Sequence, residues 1–452
     1  MHDSGPLARR LRRSFLHDRG SQTHHPSSLK ASNLHRGFHC DPAHKADSPF
    51  PVTSPQNEPS GAFATAVTLK FSRHLSQSLI LPSLPAIMIS LSAPQNLTQM
   101  IVAAFIIGMV IAKLLVTFLA DHFRLRRTIL ILLPFLLLGS LLCLIPDIHM
   151  ILVGRAMQGV GIGGASALAI SIIKNTTKES RYTRKLSQWA ILVEWAPPTA
   201  LILGGLIQQR LDWHYNFVII AILSLGLIAL ALITLPKEEP PTRSLSGATA
   251  RRKLGMIISG YGDPRFLAYS LMYSLIVSGQ IVFYTISPFY LIHTLGMSAN
   301  DYGLALTPYF AALIIGSALT GSLQKHLSSI AILRTALAFG LVGSLAILGF
   351  AFSVENAAWT LIAPMVLYGL CHSMLGLQVE VKVSGFASES PIANLGLLGL
   401  TLALVSALVA LIAAHVPSNT PIGIAVFLLV LVVLSILATL LLGPEKARAS
   451  EN

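Results

Sequence analysis

The sequence is poor in charge. Of its 452 residues, 32 are Lys or Arg and 19 are Asp or Glu, 11% of the chain. A water-soluble domain carries about 25%, so a soluble globular protein of this length is excluded. Cysteine is scarce too. Cys40, Cys143 and Cys371 lie far apart, which excludes a disulfide framework and a closely spaced thiolate metal site. The chain lacks the G-x-x-x-x-G-K-[ST] run that cradles nucleotide phosphates, so ATP-driven transport is not expected. It also lacks H-E-x-x-H and any paired-carboxylate hydrolase pattern. The reading is therefore no enzyme, no cofactor and no metal. His24, His25, His35, His39 and His44 cluster near the N-terminus, but nothing ordered frames them as ligands.

What the chain has in abundance is apolar sequence, 53% of residues, arranged in blocks of about 18–24. Each block matches the ~20 residues with which a helix crosses ~30 Å of hydrocarbon. Twelve spans are expected, near 75–92, 99–120, 128–145, 150–173, 186–207, 214–236, 265–292, 302–323, 331–352, 358–378, 392–414 and 421–443. The fold class is thus all-α integral membrane. Residues 1–70, rich in Ser, Pro, His and Arg, read as a disordered basic tail or a start assigned too far upstream. Arg9, Arg10, Arg12 and Arg13 precede no apolar core, so this is not a secretory signal. Residues 71–236 form an N-terminal six-helix bundle, 237–264 a polar linker, 265–443 a C-terminal six-helix bundle, and 444–452 a short tail. Six plus six around one long polar break suggests two similar halves.

Lys and Arg set the expected orientation. One set of alternate loops carries Arg124, Arg126, Arg127, Lys174, Lys178, Arg181, Arg184, Lys185, Lys237, Arg243, Arg251, Arg252, Lys253, Lys325, Arg334 and Lys382. The other set carries Arg210 and little else. Both termini and the linker are therefore expected in the cytoplasm of a bacterial-type inner membrane. The net charge of +13 follows from these loops and the tail, and does not imply nucleic acid.

Three motifs in the first half carry a family resemblance. Asp121-His-Phe-Arg124-Leu-Arg126-Arg127 resembles the G-x-x-x-D-x-x-G-R-[RK] loop of the major facilitator superfamily, with Thr117 and Leu125 where glycines usually stand. Arg155-Ala-Met-Gln158-Gly159-Val-Gly161 resembles the R-x-x-Q-G-x-G run of drug:proton antiporters. Ala196-Pro197-Pro198 through Gly204-Gly205 resembles the antiporter motif of the bicyclomycin/chloramphenicol-resistance (Bcr/CflA) branch. Leu81-Pro82-Ser-Leu84-Pro85 and Trp213-His214-Tyr215-Asn-Phe217 extend the likeness, which covers about residues 75–443. The resemblance implies two pseudo-symmetric halves and proton-coupled efflux of a small organic compound, such as a drug or siderophore-like metabolite. It implies gating at Asp121, Arg126 and Arg127, and helix kinking and packing at Gln158, Gly159, Gly161, Pro197, Pro198, Gly204 and Gly205. It also marks a departure: the family's helix 1 aspartate is Ser78 here.

Charges at membrane depth cost about 2.5–3.5 kcal/mol each on insertion scales and need a reason. Within the expected spans these are Lys113, Arg155 and Glu194. Lys113 and Glu194 lie at matching depth, roughly 12 Å from the basic loops at 1.5 Å per residue. Two readings stay open: Glu194 as a proton-carrying site tuned by Lys113 and Arg155, or a structural ion pair that never titrates. Tyr273, Gln280, Tyr284, His372 and Asn394 are candidates for the facing cavity wall or for interhelical packing. The partners expected are a small-molecule substrate, protons and the bilayer, with the chain a monomer. Uptake, uncoupled facilitation and a transporter-like sensor without turnover are the alternatives.

Overall fold

The computed structural model describes residues 61–237, 261–352, 357–386 and 391–442. Residues 1–60 of the expected tail, most of the linker and the C-terminal tail lie outside them. The described residues form twelve helices and their connections. In the first half these are α1 (Ala62–Ser78, a 3-10 turn Leu81–Ser83, and Leu84–Ser90), α2 (Gln95–His122), α3 (Leu125–Leu142), α4 (Ile148–Ala167 and Ala169–Thr176), α5 (Glu179–Glu194 and Ala196–Arg210) and α6 (His214–Thr234). In the second half they are α7 (Pro264–Pro288, continued by Phe289–Thr294), α8 (Ala299–Ala305 and Thr307–Leu323), α9 (Ser329–Ala351), α10 (Trp359–Ser384), α11 (Pro391–Ala413) and α12 (Ile422–Ala438). Ten are long and apolar enough to span a membrane. The interrupted α1 and the shorter apolar α12 complete the set.

Hydrocarbon offers no partner to a backbone N–H or C=O, so a spanning segment must satisfy its own groups as a helix. The ends are closed by side chains where water begins. Asp147 accepts from the amides of His149 and Met150 at the start of α4, and Asp263 from that of Arg265 at the start of α7. Ser298 and Ser328 do the same for α8 and α9.

The first span corrects the sequence reading. It begins at Ala62 rather than near 75, so the N-terminal bundle starts before residue 71 and takes in Lys70, Arg73 and His74. The run Lys70-Phe-Ser-Arg73-His74 depresses mean hydropathy, and an apolar window therefore opens only after it. The full span of about 43 Å at 1.5 Å per residue breaks at Leu79–Ile80. Pro82 and Pro85 lack the N–H groups that would continue the ladder.

Helix pairing reveals the internal repeat. In the first half α2 packs on α4, α3 on α4 and α6, and α1 on α5 and α6. Adding six to each number gives the second half: α8 on α10, α9 on α10 and α12, α7 on α11 and α12. The contacts between halves obey the same operation, since α5 with α8 and α2 with α11 exchange under it. Glycines set the tightest crossings. A Cβ on Gly159 would stand 3.0 Å from the Cα of Gly108, and one on Gly161 3.0 Å from that of Leu136, so α4 lies backbone to backbone on α2 and α3.

Candidate functional site

One face of α1 is polar in the middle of an otherwise apolar bundle. Lys70, Arg73, His74 and Gln77 fall at helical positions i, i+3, i+4 and i+7, which share a face. The Arg73 guanidinium donates to Gln77 Oε1 at 3.2 Å, and its Nη2 lies 2.6 Å from His74 Nε2. Its Nε is buried without a partner. Lys70 sits with its Nζ 6.0 Å from the centre of the Trp189 ring of α5. Trp189 is in turn fixed by donating from Nε1 to the Ala66 carbonyl at 3.2 Å.

Opposite these cations is Glu194, the last residue of the first piece of α5. Pro197 and Pro198, both buried, interrupt the helix one turn on. Glu194 lies about 22 Å along a helix of about 48 Å, near its middle. It is exposed rather than packed, and the charges acting on it are those of Lys70 and Arg73. Lys113 is not its principal partner, contrary to what equal depth suggested. Lys113 reaches across to the second half and donates to the Gly399 carbonyl of α11. Arg73 bears on Lys113 electrostatically.

The second half contributes hydroxyls, aromatic rings and one acid. Tyr309 of α8 lies 3.0 Å from His372 Nδ1 of α10, and Tyr273 of α7 meets the His372 ring at 6.0 Å between centroids. Gln280 donates to the Tyr284 hydroxyl at 2.8 Å, and Ser78 of α1 stands against that same hydroxyl. The position where the resemblance expects an acid is thus a neutral hydroxyl contact between the halves. Glu380, exposed about one turn from the end of α10, lies within electrostatic reach of Lys70 and Glu194. Tyr273 lies within reach of both carboxylates.

Other expected residues sit elsewhere. Arg155 is fully buried inside the first half, away from Glu194. It donates to the Ser76 carbonyl and to Gln158 Oε1, each at 2.8 Å, and its guanidinium lies 4.4 Å from the Phe105 ring centre. Gln158 passes the chain on to Ser140 Oγ at 2.8 Å. Ser76 lies in the last turn of the first piece of α1, where a carbonyl lacks an intrahelical donor, so Arg155 caps the break instead of lining the cavity. Asn394 donates to the Phe386 carbonyl at 2.9 Å, closing the α10–α11 turn rather than facing the pathway. Arg126 donates at 2.8 Å to the Leu232 carbonyl in the last turn of α6, within its own half, and Arg127 is exposed. The side chain of Asp121 lies outside the described residues.

The halves close on each other at the ends of the helices opposite the basic loops. A Cβ on Gly205 of α5 would lie 3.0 Å from the Cα of Asn300 in α8, and one on Gly303 of α8 2.5 Å from the Leu201 carbonyl of α5. Gly204 packs as tightly on the Leu79 backbone at the break in α1. Outside this seal, a cavity of about 490 Å³ is lined by Pro82, Pro85, Gln208, Gln209 and His293 among others. By contrast the first piece of α5, Glu179–Glu194, packs on α1 and α4 of its own half.

Sequence reasoning did not single out Lys70, Arg73, His74 or Tyr309. The signal for the α1 cluster was present in its i, i+3, i+4, i+7 spacing.

Comparison with known proteins agrees with this architecture. The family model described as Major Facilitator Superfamily matches residues 67–389. The uncharacterized MFS-type transporter YdgK of Bacillus subtilis is 24% identical over 73% of this chain and 83% of its own length. The chloramphenicol resistance protein CraA of Acinetobacter baumannii is 24% identical over 59% of this chain. The multidrug resistance protein MdtL of Salmonella paratyphi C is 25% identical over 50% of it. The chain spans 64% and 57% of the lengths of these last two. Among solved structures, a bacterial homologue of the human lysosomal transporter Spinster superposes with a TM-score of 0.65 at 14% identity, over 86% of this chain and 96% of that one. A D-xylose-proton symporter does so with 0.65 at 14%, over 83% and 96%. Twelve helices in two pseudo-symmetric groups of six and a match over more than half the chain lead to one conclusion: this is a multi-pass membrane transporter, not an enzyme, and it belongs to the major facilitator superfamily.

Proposed function

We propose that the chain exports a small organic compound from the cytoplasm by alternating access, in exchange for protons. The observation that carries this reading is Glu194: an exposed carboxylate halfway along α5, at a proline-broken point of the helix, within electrostatic reach of Lys70 and Arg73 on α1 of the same half. A carboxylate at that depth has two favourable states. Ionised, it is held by the cations of α1; protonated, it is neutral and frees them. Substrate and proton then alternate at one place. The names of CraA and MdtL support efflux, and the basic loops support an inner-membrane orientation with both termini in the cytoplasm. The chain would act as a monomer.

The test is transport in proteoliposomes with an imposed pH gradient. Glu194→Gln is expected to abolish gradient-driven flux while leaving counterflow at zero gradient measurable. Full gradient-driven flux in the variant would remove Glu194 as the coupling group. Ser78 favours one alternative, uncoupled facilitation, for which wild-type flux would ignore the gradient.

A further inference from the structure

The pathway holds charges of both signs that are near one another and yet not joined. Among the described residues, neither Lys70 nor Arg73 forms an ion pair, and neither Glu194 nor Glu380 does. Arg73 is bonded only to uncharged groups: Gln77, His74 and the Met109 sulfur at 3.6 Å. The cations project from α1, whereas the carboxylates project from α5 and α10. They lie within electrostatic reach, since Lys70 feels Glu380 and Glu194, and Arg73 feels Glu194. Charges placed this expensively at membrane depth and not paired with one another are available to a ligand's own charges.

We infer that the substrate is a small zwitterion with an aromatic or apolar body, its anionic group bound by Arg73 and Lys70 and its cationic group by Glu194 and Glu380. The inference rests on the proposed transport role and adds the substrate class. A simple anion would satisfy α1 and face two carboxylates with nothing to offer them. A simple cation would meet the reverse. A dipolar ligand satisfies both sets, and the rings of Tyr273, Tyr309 and His372 supply a face for its body. The arrangement also fits exchange: the ligand's ammonium and a proton compete for Glu194, so that loading one expels the other.

The experiment measures equilibrium binding to the purified full chain by tryptophan fluorescence, with Trp189 standing beside Lys70. The probes are four matched molecules: phenylalanine (zwitterion), its methyl ester (cation), N-acetylphenylalanine (anion) and N-acetylphenylalanine methyl ester (neutral). The zwitterion is expected to bind at least about tenfold more tightly than each of the others. Arg73→Gln should erase its advantage over the cationic ester, and Glu194→Gln its advantage over the N-acetyl anion. The same purified variants give monodisperse peaks and melting curves, which separate lost selectivity from lost folding. Equal binding of all four, preference for a singly charged or neutral probe, or no binding of any would overturn the inference. Charge-selective binding without gradient-driven flux would sink the transport reading and leave the site standing; flux without charge selectivity would do the opposite.

Discussion

Two glycines facing each other across the halves should control which end of the pathway opens. A Cβ on Gly205 would stand 3.0 Å from the Asn300 Cα and closer still to the Ala299 carbonyl. One on Gly303 would stand 2.5 Å from the Leu201 carbonyl and 3.1 Å from the Ile202 Cα. These neighbours are backbone atoms and cannot swing aside as a side-chain tip would. Overpacking of this kind costs about 1–3 kcal/mol. Here the cost falls on one state only, because the contact exists only when α5 and α8 are closed. An energy of that size moves a two-state equilibrium by about 5- to 150-fold toward the state open at this end. Gly159→Ala is the control. Its Cβ would meet the Gly108 Cα at 3.0 Å inside the first half, a contact that rigid rocking of the halves preserves, so it should lower stability without shifting the equilibrium. The assay is a spin-label distance between Gln209 of α5 and His293 of α7, which line one cavity from opposite halves. Cys143 and Cys371 are buried and stay unlabelled, and Cys40 is first replaced by Ser. Gly205→Ala and Gly303→Ala should each enrich the longer distance. An unchanged distribution with a melting temperature as low as that of Gly159→Ala would refute the argument.

Arg155→Gln removes two short charge-assisted hydrogen bonds, and a longer one to the Ile101 carbonyl at 3.5 Å, from a fully buried site. It should cost roughly 3 kcal/mol, since a hydrogen bond to a charged group contributes about 1.5–3 kcal/mol. Detergent melting curves should fall accordingly, while flux per folded molecule keeps its pH response; a lost pH response at normal stability would place Arg155 in the proton path instead. Arg126→Ala removes a cation from the last turn of α6 and should lower stability by about 1 kcal/mol without changing probe affinity, read by the same two measurements. Fusion reporters should place residues near 180, 250 and 385 in the cytoplasm and residues near 147, 210 and 417 outside. A cytoplasmic signal near 147 would reverse the orientation.

Eleven of the twelve spans were legible because their information is one-dimensional. A block of apolar residues long enough for the bilayer is a property of sequence alone, and so is the alternation of basic loops. The glycine motifs were legible for a related reason: Gly159, Gly161, Gly204 and Gly205 mark places where nothing larger fits, and each proved to be a close backbone approach. The first span failed because hydropathy averaging treats every charge as if it faced lipid. Lys70, Arg73 and His74 are half-buried on one face of α1 beside Gln77 and Trp189, and the helix runs through them.

The site was harder to read because depth along a helix says nothing of direction around it. Lys113 and Glu194 have equal depth, but Lys113 turns toward Gly399 and Glu194 toward α1. Arg155 and Glu194 are both charges inside apolar blocks, yet one is sealed among four helices of its own half and the other is exposed. Which of these a buried charge becomes depends on where the chain is broken nearby. Arg155 points at Ser76 because the break in α1 leaves a last-turn carbonyl without an intrahelical donor, and a guanidinium is the strongest donor within reach. Glu194 stays exposed at the end of the first piece of α5, which is itself broken just beyond it, at Trp195. The prolines that make these breaks, Pro82 and Pro197, were visible from the start. Joining each proline to the charge it orients needs distances between helices, and those appear only in three dimensions.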